Sequence, residues 1–504
     1  MKANYQSVNT YGELCKAVGQ SIVECRFSGA DVANVLTCEA RAVLGEASCD
    51  NGEVRYGGKL YATFLYESAD GKLRRAERGA EFFHKAEHPA IASAHAPYGS
   101  LTVLNVKTKR EGGQIVAVCV VEGEFSVHGE RRQVYLAGGE DLLVKKSSQA
   151  FCEEHRGIVA VEEEDEFECD GLQDVLLHTE TATVTGAHVG VGEVEITGEI
   201  CLHFCGIRQD ESLCSYERIT PFKAQILLDL ATPQTPCVGL ARVRSAQVSL
   251  ATDEERGKSK IALSYALEVE ARLDEVKEIT VGVDAYSVNV ETELEMQKVG
   301  GRYALNTETV TERIHGSALL SAPISPDSTL LVAAFPKVIA SVESSDTGEA
   351  LQGVIEGKAI YKKADGGIEC ADVSLPFLFP ISGGKAKGER EEIQLLECLV
   401  YGFSLRVRAG GETEAEATLK ARYARYGVTD SSFISDVIEG DKKKEKTCAI
   451  SVYVARRGDD LWTTAKRLSL TPEALEESNP ALTFPLTGEE RMVIYRQKRE
   501  NLQK

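Results

Sequence analysis

The residues best suited to chemistry are two groups of histidines and cysteines. The first, His84-Lys85-Ala86-Glu87-His88, matches the HxxEH pattern of inverted zinc peptidases. That pattern presents both histidines to one metal ion only when the segment is helical. Here Phe82-Phe83 precedes it in a strand-like segment, and Pro89 follows at once. We therefore expect a strand here and no zinc.

The second group comprises Cys201, His203 and Cys205, which alternate along one predicted strand. Cys214 follows a short polar turn, so it can lie near Cys205 across a hairpin. Three thiols and one imidazole are a possible zinc ligand set. Buried cysteines of an ordinary protein core give the same pattern, and the sequence favours that alternative while leaving metal binding open.

Other sequence features argue against enzymatic activity. The fourteen cysteines are scattered without a CxxC pair, which favours reduced thiols in a cytosolic protein over a disulfide framework. There is no Walker phosphate loop, no GxSxG elbow and no GxGxxG after a strand. We assign no catalytic residue, no cofactor and no metal.

Composition narrows the possible partners. The chain has 504 residues and a net charge of -21, so its surface repels phosphate backbones and nucleic-acid binding is not expected. With 43% hydrophobic residues it can build folded cores. The first residues lack the apolar run of a signal peptide, and no stretch reaches the ~20 apolar residues of a membrane span. We expect a cytosolic protein with no transmembrane segment.

Strands dominate the predicted secondary structure. Residues 114–125 and 261–271 alternate apolar and polar side chains, the pattern of a half-buried strand. An N-terminal helical segment is expected within residues 1–30, because Thr10 can cap a run containing Leu14, Val18 and Ile22. The fold class is therefore mainly β.

A segment that begins and ends with glycine, here called the glycine frame, occurs three times. Gly52 to Gly58, Gly192 to Gly198 and Gly348 to Gly357 each follow an alternating strand and precede a hairpin with an Asp- and Gly-rich turn. The domain-sized spacing predicts three tandem β-sandwich or barrel-like domains. Their expected limits are 31–150, 165–325 and 326–428.

Two polar segments are expected to connect these domains. The run Glu162-Glu163-Glu164-Asp165-Glu166 is interpreted as a solvated connector between the first and second domains. Residues 429–448, which end in several lysines, are interpreted as a polar linker.

The segment 449–504 is predicted to form a small βααβ domain. Residues 450–454 and 492–495 alternate as short strands, and two helices lie between them. Asp460 is placed to cap the first helix and Thr471 the second, where Pro472 takes the first helical position. Trp462, the single tryptophan, is expected to pack in the core rather than stack on a sugar.

This segment resembles a LysM domain. The matching pieces are 452–454, 458–462, 465–467, 475–480 and 493–494. The resemblance implies a shallow groove between two loops, which binds N-acetylated glycans in many LysM domains; a protein ligand is the alternative. The implied groove residues are Gly458, Asp459, Asp460, Leu461, Trp462, Asn479, Pro480, Ala481 and Leu482.

The whole chain resembles the SPOCS-domain spore-coat morphogenetic proteins of spore-forming bacteria. Three β repeats precede the LysM-like segment, and Asp284-Ala285-Tyr286-Ser287 is similar to a recurring phrase of that family. The resemblance implies a non-enzymatic adaptor in the mother-cell cytoplasm, at the forespore surface and spore coat. Its implied partners are the spore-coat morphogenetic ATPase and other coat proteins, or the cortex precursor. The alternative is a peptidoglycan-binding protein of the cell wall or cortex.

Overall fold

The computed structural model describes residues 1–253, 258–325, 327–345, 348–381, 391–408, 412–443, 450–488 and 490–495. Over these residues the protein is mainly β, as the alternating patterns predict. The described helices are two short ones, both after residue 450.

The first nineteen strands fall into three units with matching sheet topology. Unit 1 covers residues 2–140 and contains β1 (Lys2–Ser28), β2 (Val32–Asp50), β3 (Glu53–Ser68), β4 (Leu73–Glu87), β5 (Ala96–Glu111) and β6 (Gln114–Glu140). Unit 2 covers residues 143–286 and contains β7 (Leu143–Asp170), β8 (Leu172–Val189), β9 (Glu193–Arg208), β10 (Leu213–Leu227), β11 (Cys237–Asp253) and β12 (Lys258–Tyr286).

Unit 3 covers residues 290–442 and has one additional short strand. It contains β13 (Val290–Ser317), β14 (Leu319–Leu320), β15 (Thr329–Ser345), β16 (Gly348–Lys362), β17 (Ile368–Pro380), β18 (Glu391–Val407) and β19 (Thr413–Lys442). The sheet orders are β1-β6-β5 and β2-β3-β4 in unit 1, β7-β12-β11 and β8-β9-β10 in unit 2, and β13-β19-β18 and β14-β17-β16-β15 in unit 3.

Each unit encloses a core between its two antiparallel sheets. In unit 1, Leu60 and Phe64 of β3 face Ile115 and Val121 of β6 in one hydrophobic cluster. Alternate residues of each strand enter this core because successive side chains point to opposite faces of a sheet. The two-sheet arrangement is the sandwich-like one expected from the alternation.

Strand pairing moves the expected domain limits. β1, β7 and β13 pair with the long strands β6, β12 and β19 that end their units. The expected range 31–150 therefore omits β1, the range 165–325 keeps only the last residues of β7 and includes β13, and the range 326–428 omits β13. This pairing joins residues far apart in sequence, so local patterns did not reveal it.

The expected N-terminal helix within residues 1–30 is wrong, because this segment is strand β1. Leu14, Val18 and Ile22 are four residues apart, a spacing that places residues on one face of a strand as well as of a helix. In the structure that face is the outer one: Val18 is 53% exposed and Ile22 73%. From residue 17 to residue 27 the buried side chains lie at the odd positions, such as Val23 and Phe27.

The two expected connectors are also strands over their described residues. The acidic run 162–166 lies within β7 and pairs with β12. Asp165 accepts hydrogen bonds from Arg218 and Thr220 of β10, and Glu163 accepts one from Tyr265 of β12. Residues 429–442 continue β19 against β13. Residues 444–448 of the expected linker lie outside the described residues.

The second glycine of the third frame is Gly353 and not Gly357. Gly58 pairs with Phe82, Gly198 with Phe222 and Gly353 with Phe377, so these three glycines are equivalent. At Gly353 an added Cβ would collide with the Ile339 carbonyl oxygen, and at Gly198 with the Phe222 ring. The glycines therefore allow a close approach of backbone and aromatic ring.

Equivalent residues of the three units meet in one buried cluster. Leu65, Cys205 and Ile360, which stand at the same distance after their frame glycines, are each 0% exposed and belong to this cluster. Every unit also contacts both of the others. The three units therefore pack around a common centre rather than as a string of separate domains.

The C-terminal module, residues 450–495, has the expected order of elements: β20 (Ile450–Val454), α1 (Leu461–Leu468), α2 (Pro472–Ser478) and β21 (Arg491–Tyr495). Asp460 and Thr471 cap the helices as predicted, accepting hydrogen bonds from Thr463 N and Ala474 N. Residues 449 and 496–504 lie outside the described residues. Within the described chain, neither helix has the length and apolar character needed to cross a membrane.

Candidate functional site

The loop between β20 and α1 forms one side of the expected groove. Gly458 is exposed and has a positive φ of 85°, a conformation that favours glycine. Its N–H donates to the Leu486 carbonyl at 2.8 Å, and Leu486 N–H donates to the Asp459 carbonyl at 2.9 Å. These two bonds join the loop to the segment that follows α2.

The two aspartates of this loop have structural roles. Asp459 is buried and accepts hydrogen bonds from Tyr453 Oη and Arg456 N, both at 3.0 Å. Burial by itself raises the pKa of Asp459, but these hydrogen bonds and the nearby Arg467 outweigh it and lower the pKa below its ordinary value. Asp460 caps α1, and its hydrogen bonds from Thr463 lower its pKa. Either carboxylate could bind a cation only by giving up these hydrogen bonds.

The loop after α2 contains further residues of the expected groove. Asn479 donates from Nδ2 to Leu475 O at 3.1 Å and to Val493 O at 2.8 Å, and its Oδ1 accepts from Val493 N at 2.8 Å. Asn479 therefore ties the end of α2 to β21. Leu482 is half-buried, whereas Pro480 and Ala481 are exposed.

Trp462 packs against unit 2 rather than only within its own module. Its Nε1 donates to Asp284 Oδ2 at 2.7 Å, and its ring meets the Tyr286 ring edge-on at a centroid distance of 5.0 Å. Leu461 packs in the same cluster. The indole thus has a packing role, as the sequence suggested, but its partner lies in another part of the chain.

Asp284-Ala285-Tyr286-Ser287 is the docking segment for the C-terminal module. Lys466 forms an ion pair with Asp284, and buried Tyr286 donates from its hydroxyl to Leu470 O at 2.8 Å. Burial, with the negative charges of Glu473 and Asp284, raises the pKa of Tyr286 to about 12. Lys443 donates to Ser287 O at 2.9 Å and to Ser469 Oγ at 3.1 Å. The module is therefore fixed to unit 2.

The exposed parts of the expected groove are mostly main chain. Of its residues, Gly458, Pro480 and Ala481 are exposed, whereas Asp459, Asp460, Trp462 and Asn479 use their side chains inside the molecule. A ligand of these loops would meet peptide groups and small apolar surfaces. Both a glycan and an extended protein segment can bind such a surface.

A cavity of about 320 Å³ lies where the three units meet. Tyr98 of unit 1, Arg156 of unit 2 and Tyr426 of unit 3 all line it. The Tyr426 ring lies between Arg272 and Arg302, whose guanidinium carbons are 4.9 and 4.8 Å from its centroid. This is the interior of the junction between units.

The arginines of this cavity are balanced by carboxylates. Arg156 pairs with Glu154 and, at 2.6 Å, with Glu270, while Arg272 pairs with Asp274 at 3.3 Å. Burial raises the pKa of Glu154, but His128 and the two arginines outweigh it and bring the pKa to about 2. The paired charges of these arginines and carboxylates stabilise the junction between units.

The HxxEH match does not lie on a helix. His84 lies in strand β4, and its ring meets Tyr56 edge-on at 5.9 Å. His88 follows the strand, and its Nδ1 accepts from Ala90 N at 3.2 Å. The strand that the flanking residues predicted is confirmed.

The predicted group of three thiols and one imidazole is not brought together. Cys205 lies in the cluster shared by the three units, and Cys214 Sγ donates to Gly206 O at 3.4 Å. Cys201 and His203, in contrast, are adjacent, with Sγ and Nε2 3.3 Å apart. The side chain that joins them is Glu217 of the neighbouring strand, which cysteine spacing gave no reason to select.

Comparison with known proteins adds no relative. No protein-family model, curated protein or solved structure matches this chain.

Proposed function

We propose that this protein is a non-enzymatic adaptor in endospore coat assembly. In this proposal units 1 to 3 are SPOCS-type domains that contact other coat proteins, and the C-terminal module is a LysM domain that docks onto the spore-coat morphogenetic ATPase. The protein would act in the mother-cell cytoplasm, at the forespore surface.

One observation carries the proposal. The βααβ module is fixed to unit 2 through Asp284 and Tyr286, while Gly458, Pro480 and Ala481 remain exposed. A docking surface held in one orientation loses less conformational freedom on binding than one on a flexible tether. On a repetitive lattice, further weak contacts of the three units would add avidity.

The direct test is co-sedimentation of the full chain with the polymerised coat ATPase. Ala481→Trp places a large side chain in the exposed loop, and Glu476→Trp places the same side chain on the exposed surface of α2 as a matched control. We expect Ala481→Trp to abolish sedimentation with the ATPase and Glu476→Trp to retain it. Binding that is unaffected by Ala481→Trp contradicts the assigned docking surface.

Peptidoglycan is the second candidate ligand. The exposed groove positions offer main-chain groups rather than charged side chains, which suits an uncharged N-acetylated glycan. In that case the full chain sediments with purified peptidoglycan, and Ala481→Trp abolishes this binding. Sedimentation with the ATPase but not with peptidoglycan would support the adaptor function over the glycan-binding function.

A further inference from the structure

Three potential metal ligands lie together where unit 2 meets unit 3. Cys201 and His203 are on β9, and Glu217 is on the neighbouring strand β10. Their ligand atoms all lie within 4.8 Å of one another. His203 Nδ1 is 3.5 Å from Glu217 Oε2. In a tetrahedral zinc site, bond lengths of about 2.0–2.3 Å place ligand atoms roughly 3.3–3.7 Å apart. His203 Nδ1 and Glu217 Oε2 already have this spacing, whereas Cys201 Sγ lies 3.3 Å from the other ring nitrogen, Nε2, and has to turn toward Nδ1 to bind the same ion.

Unit 3 covers this group and orients the imidazole. Cys201 is 0% exposed and His203 7% exposed. The Val400 carbonyl oxygen of β18 is 2.9 Å from His203 Nε2, and Gly402 N donates to Glu217 Oε2 at 2.8 Å. Because a carbonyl can only accept, Nε2 carries the proton that it donates to Val400. A backbone carbonyl in this role is the usual device that orients a metal-binding histidine.

With Nε2 bonded to Val400, Nδ1 is the ring nitrogen that faces Glu217, 3.5 Å from its Oε2. A nitrogen and a carboxylate oxygen at this distance have about the separation of two ligands of one zinc ion.

We propose that Cys201, His203 and Glu217 bind a zinc ion, with the fourth coordination position open to water. Binding displaces the thiol proton of Cys201, which leaves as H⁺ while the sulfur bonds to the metal. The thiolate and the carboxylate together balance the charge of Zn²⁺, so the group is neutral overall. Mixed sulfur, nitrogen and oxygen ligands suit zinc better than calcium or magnesium, which take oxygen ligands. This proposal departs from the expectation of no metal.

A second group of this kind differs in one respect. Glu153, His155 and Glu275 also place their ligand atoms within 4.8 Å. There Lys277 pairs with Glu153 and lies 3.5 Å from Glu275. The ammonium already supplies the positive charge, so this group has no need of a metal. Among described residues, the ion-pair partner of Glu217 is His203 alone.

The proposed ion would stabilise the contact between units 2 and 3. Its ligands lie on β9 and β10, and both His203 and Glu217 are hydrogen-bonded to β18. A metal that binds only the folded protein raises the stability of the folded state with its concentration. The residues equivalent to Cys201 and His203 are Tyr61 and Thr63 in unit 1 and Glu356 and Lys358 in unit 3, so the metal would be specific to unit 2.

Cobalt(II) titration of the chelator-treated full chain tests the site. Co²⁺ replaces zinc and reports a thiolate ligand through a near-ultraviolet charge-transfer band. We expect one Co²⁺ per chain with this band, and its loss in Cys201→Ser. Cys205→Ser is the matched control, because Cys205 is equally buried on the same strand but lies in the junction cluster; the band should persist there.

Glu217→Gln gives an independent variant if Cys201→Ser fails to fold. Its side chain is 30% exposed, so the substitution should be tolerated. We expect Co²⁺ affinity to fall by about tenfold or more, and zinc to raise the melting temperature of the wild type and of Cys205→Ser but not of Glu217→Gln. Absence of the charge-transfer band in the wild type, or its persistence in Cys201→Ser, overturns the proposal.

Discussion

Asp284 illustrates how one carboxylate can join two parts of this chain. It accepts a hydrogen bond from Trp462 Nε1 and pairs with Lys466, and the neighbouring Tyr286 completes the contact. The short motif that contains these residues is recognisable in the sequence. Its partners Trp462 and Lys466, however, lie about 180 positions further along the chain. Local spacing carries no information about such a contact.

The first prediction concerns this carboxylate. Asp284→Ala removes the acceptor for both Trp462 and Lys466, and we expect the docked module to lose about 1–3 kcal/mol of stability. Because Trp462 is the sole tryptophan, its fluorescence emission should shift to longer wavelength as the indole becomes more exposed to water. Glu293→Ala, on an exposed position of β13, is the control and should leave the emission unchanged. Unchanged emission in Asp284→Ala would show that Asp284 does not hold the module.

Helix caps were predictable at the residue scale, whereas the role of Asn479 was not. Asp460 and Thr471 stand directly before helical residues, where a short polar side chain accepts from the first turn. Asn479 was expected in a ligand groove, but its amide bonds the backbone of β21. Its bonds to Val493 join α2 to a strand fourteen residues further along the chain, a contact that local spacing does not predict.

At the scale of elements, apolar alternation predicted strands better than isolated spacings did. Residues 261–271 alternate over a long run and lie in β12 as expected. In β1 the helical interpretation rested on three residues four apart, which a strand also places on one face. Ser431 in β19 seemed to belong to a linker because it is polar, but it is buried and donates to Ala150 O at 2.6 Å. A buried strand is hard to recognise from sequence when its polar residues are hydrogen-bonded to neighbouring strands.

The second prediction concerns the frame glycines. Gly353→Ala forces a Cβ against the Ile339 carbonyl, so we expect a loss of about 1–3 kcal/mol from strand displacement. Chemical denaturation of the full chain measures it. Gly316→Ala is the control, because the nearest atom to its added Cβ is Leu375 Cδ1 at an ordinary 3.7 Å. Equal stability of the two variants would contradict the close approach at Gly353.

At the scale of the whole molecule, the three units share a centre that sequence comparison of the repeats could not locate. The repeat itself was visible, but the equivalence of Leu65, Cys205 and Ile360 depends on choosing Gly353 as the frame glycine. These side chains occupy the outer faces of sheets that a single domain would leave in water. Their apolar character therefore reflects contacts between units.

The third prediction follows from this shared centre. Leu65→Ala leaves a cavity at the junction and should cost about 2–5 kcal/mol. Hydrogen exchange should then accelerate in β9 and β16 as well as in β3, because all three strands contribute to the cluster. Leu60→Ala, in the core of unit 1 alone, should accelerate exchange mainly within unit 1. Effects of Leu65→Ala confined to unit 1 would argue against a common centre.

The fourth prediction concerns acid and the junction of units 1 and 2. Glu154 faces His128, Arg156 and Arg272, and its pKa is about 2 in the folded protein against about 4.3 in an unfolded chain. Because folding lowers the pKa of Glu154, its ionised carboxylate stabilises the fold by about 3 kcal/mol at pH values above the unfolded pKa. This contribution disappears as the pH falls from about 4.3 through 2.

Glu154→Gln removes the titrating group. We expect lower stability at neutral pH and a shallower loss of stability below about pH 4.3 than in the wild type. Denaturant titrations across this pH range measure both, with Glu130→Gln on an exposed position of β6 as the control. A pH profile unchanged by Glu154→Gln would show that this carboxylate does not set the acid sensitivity.

In the proposed adaptor, the exposed loops of the C-terminal module direct the protein to the forespore. Fluorescent fusions of the full chain, imaged during sporulation, test this role. Wild type and Glu476→Trp should form a shell around the forespore, whereas Ala481→Trp should disperse through the mother cell. A shell that forms equally well with Ala481→Trp, at matched protein levels, would contradict the proposed role.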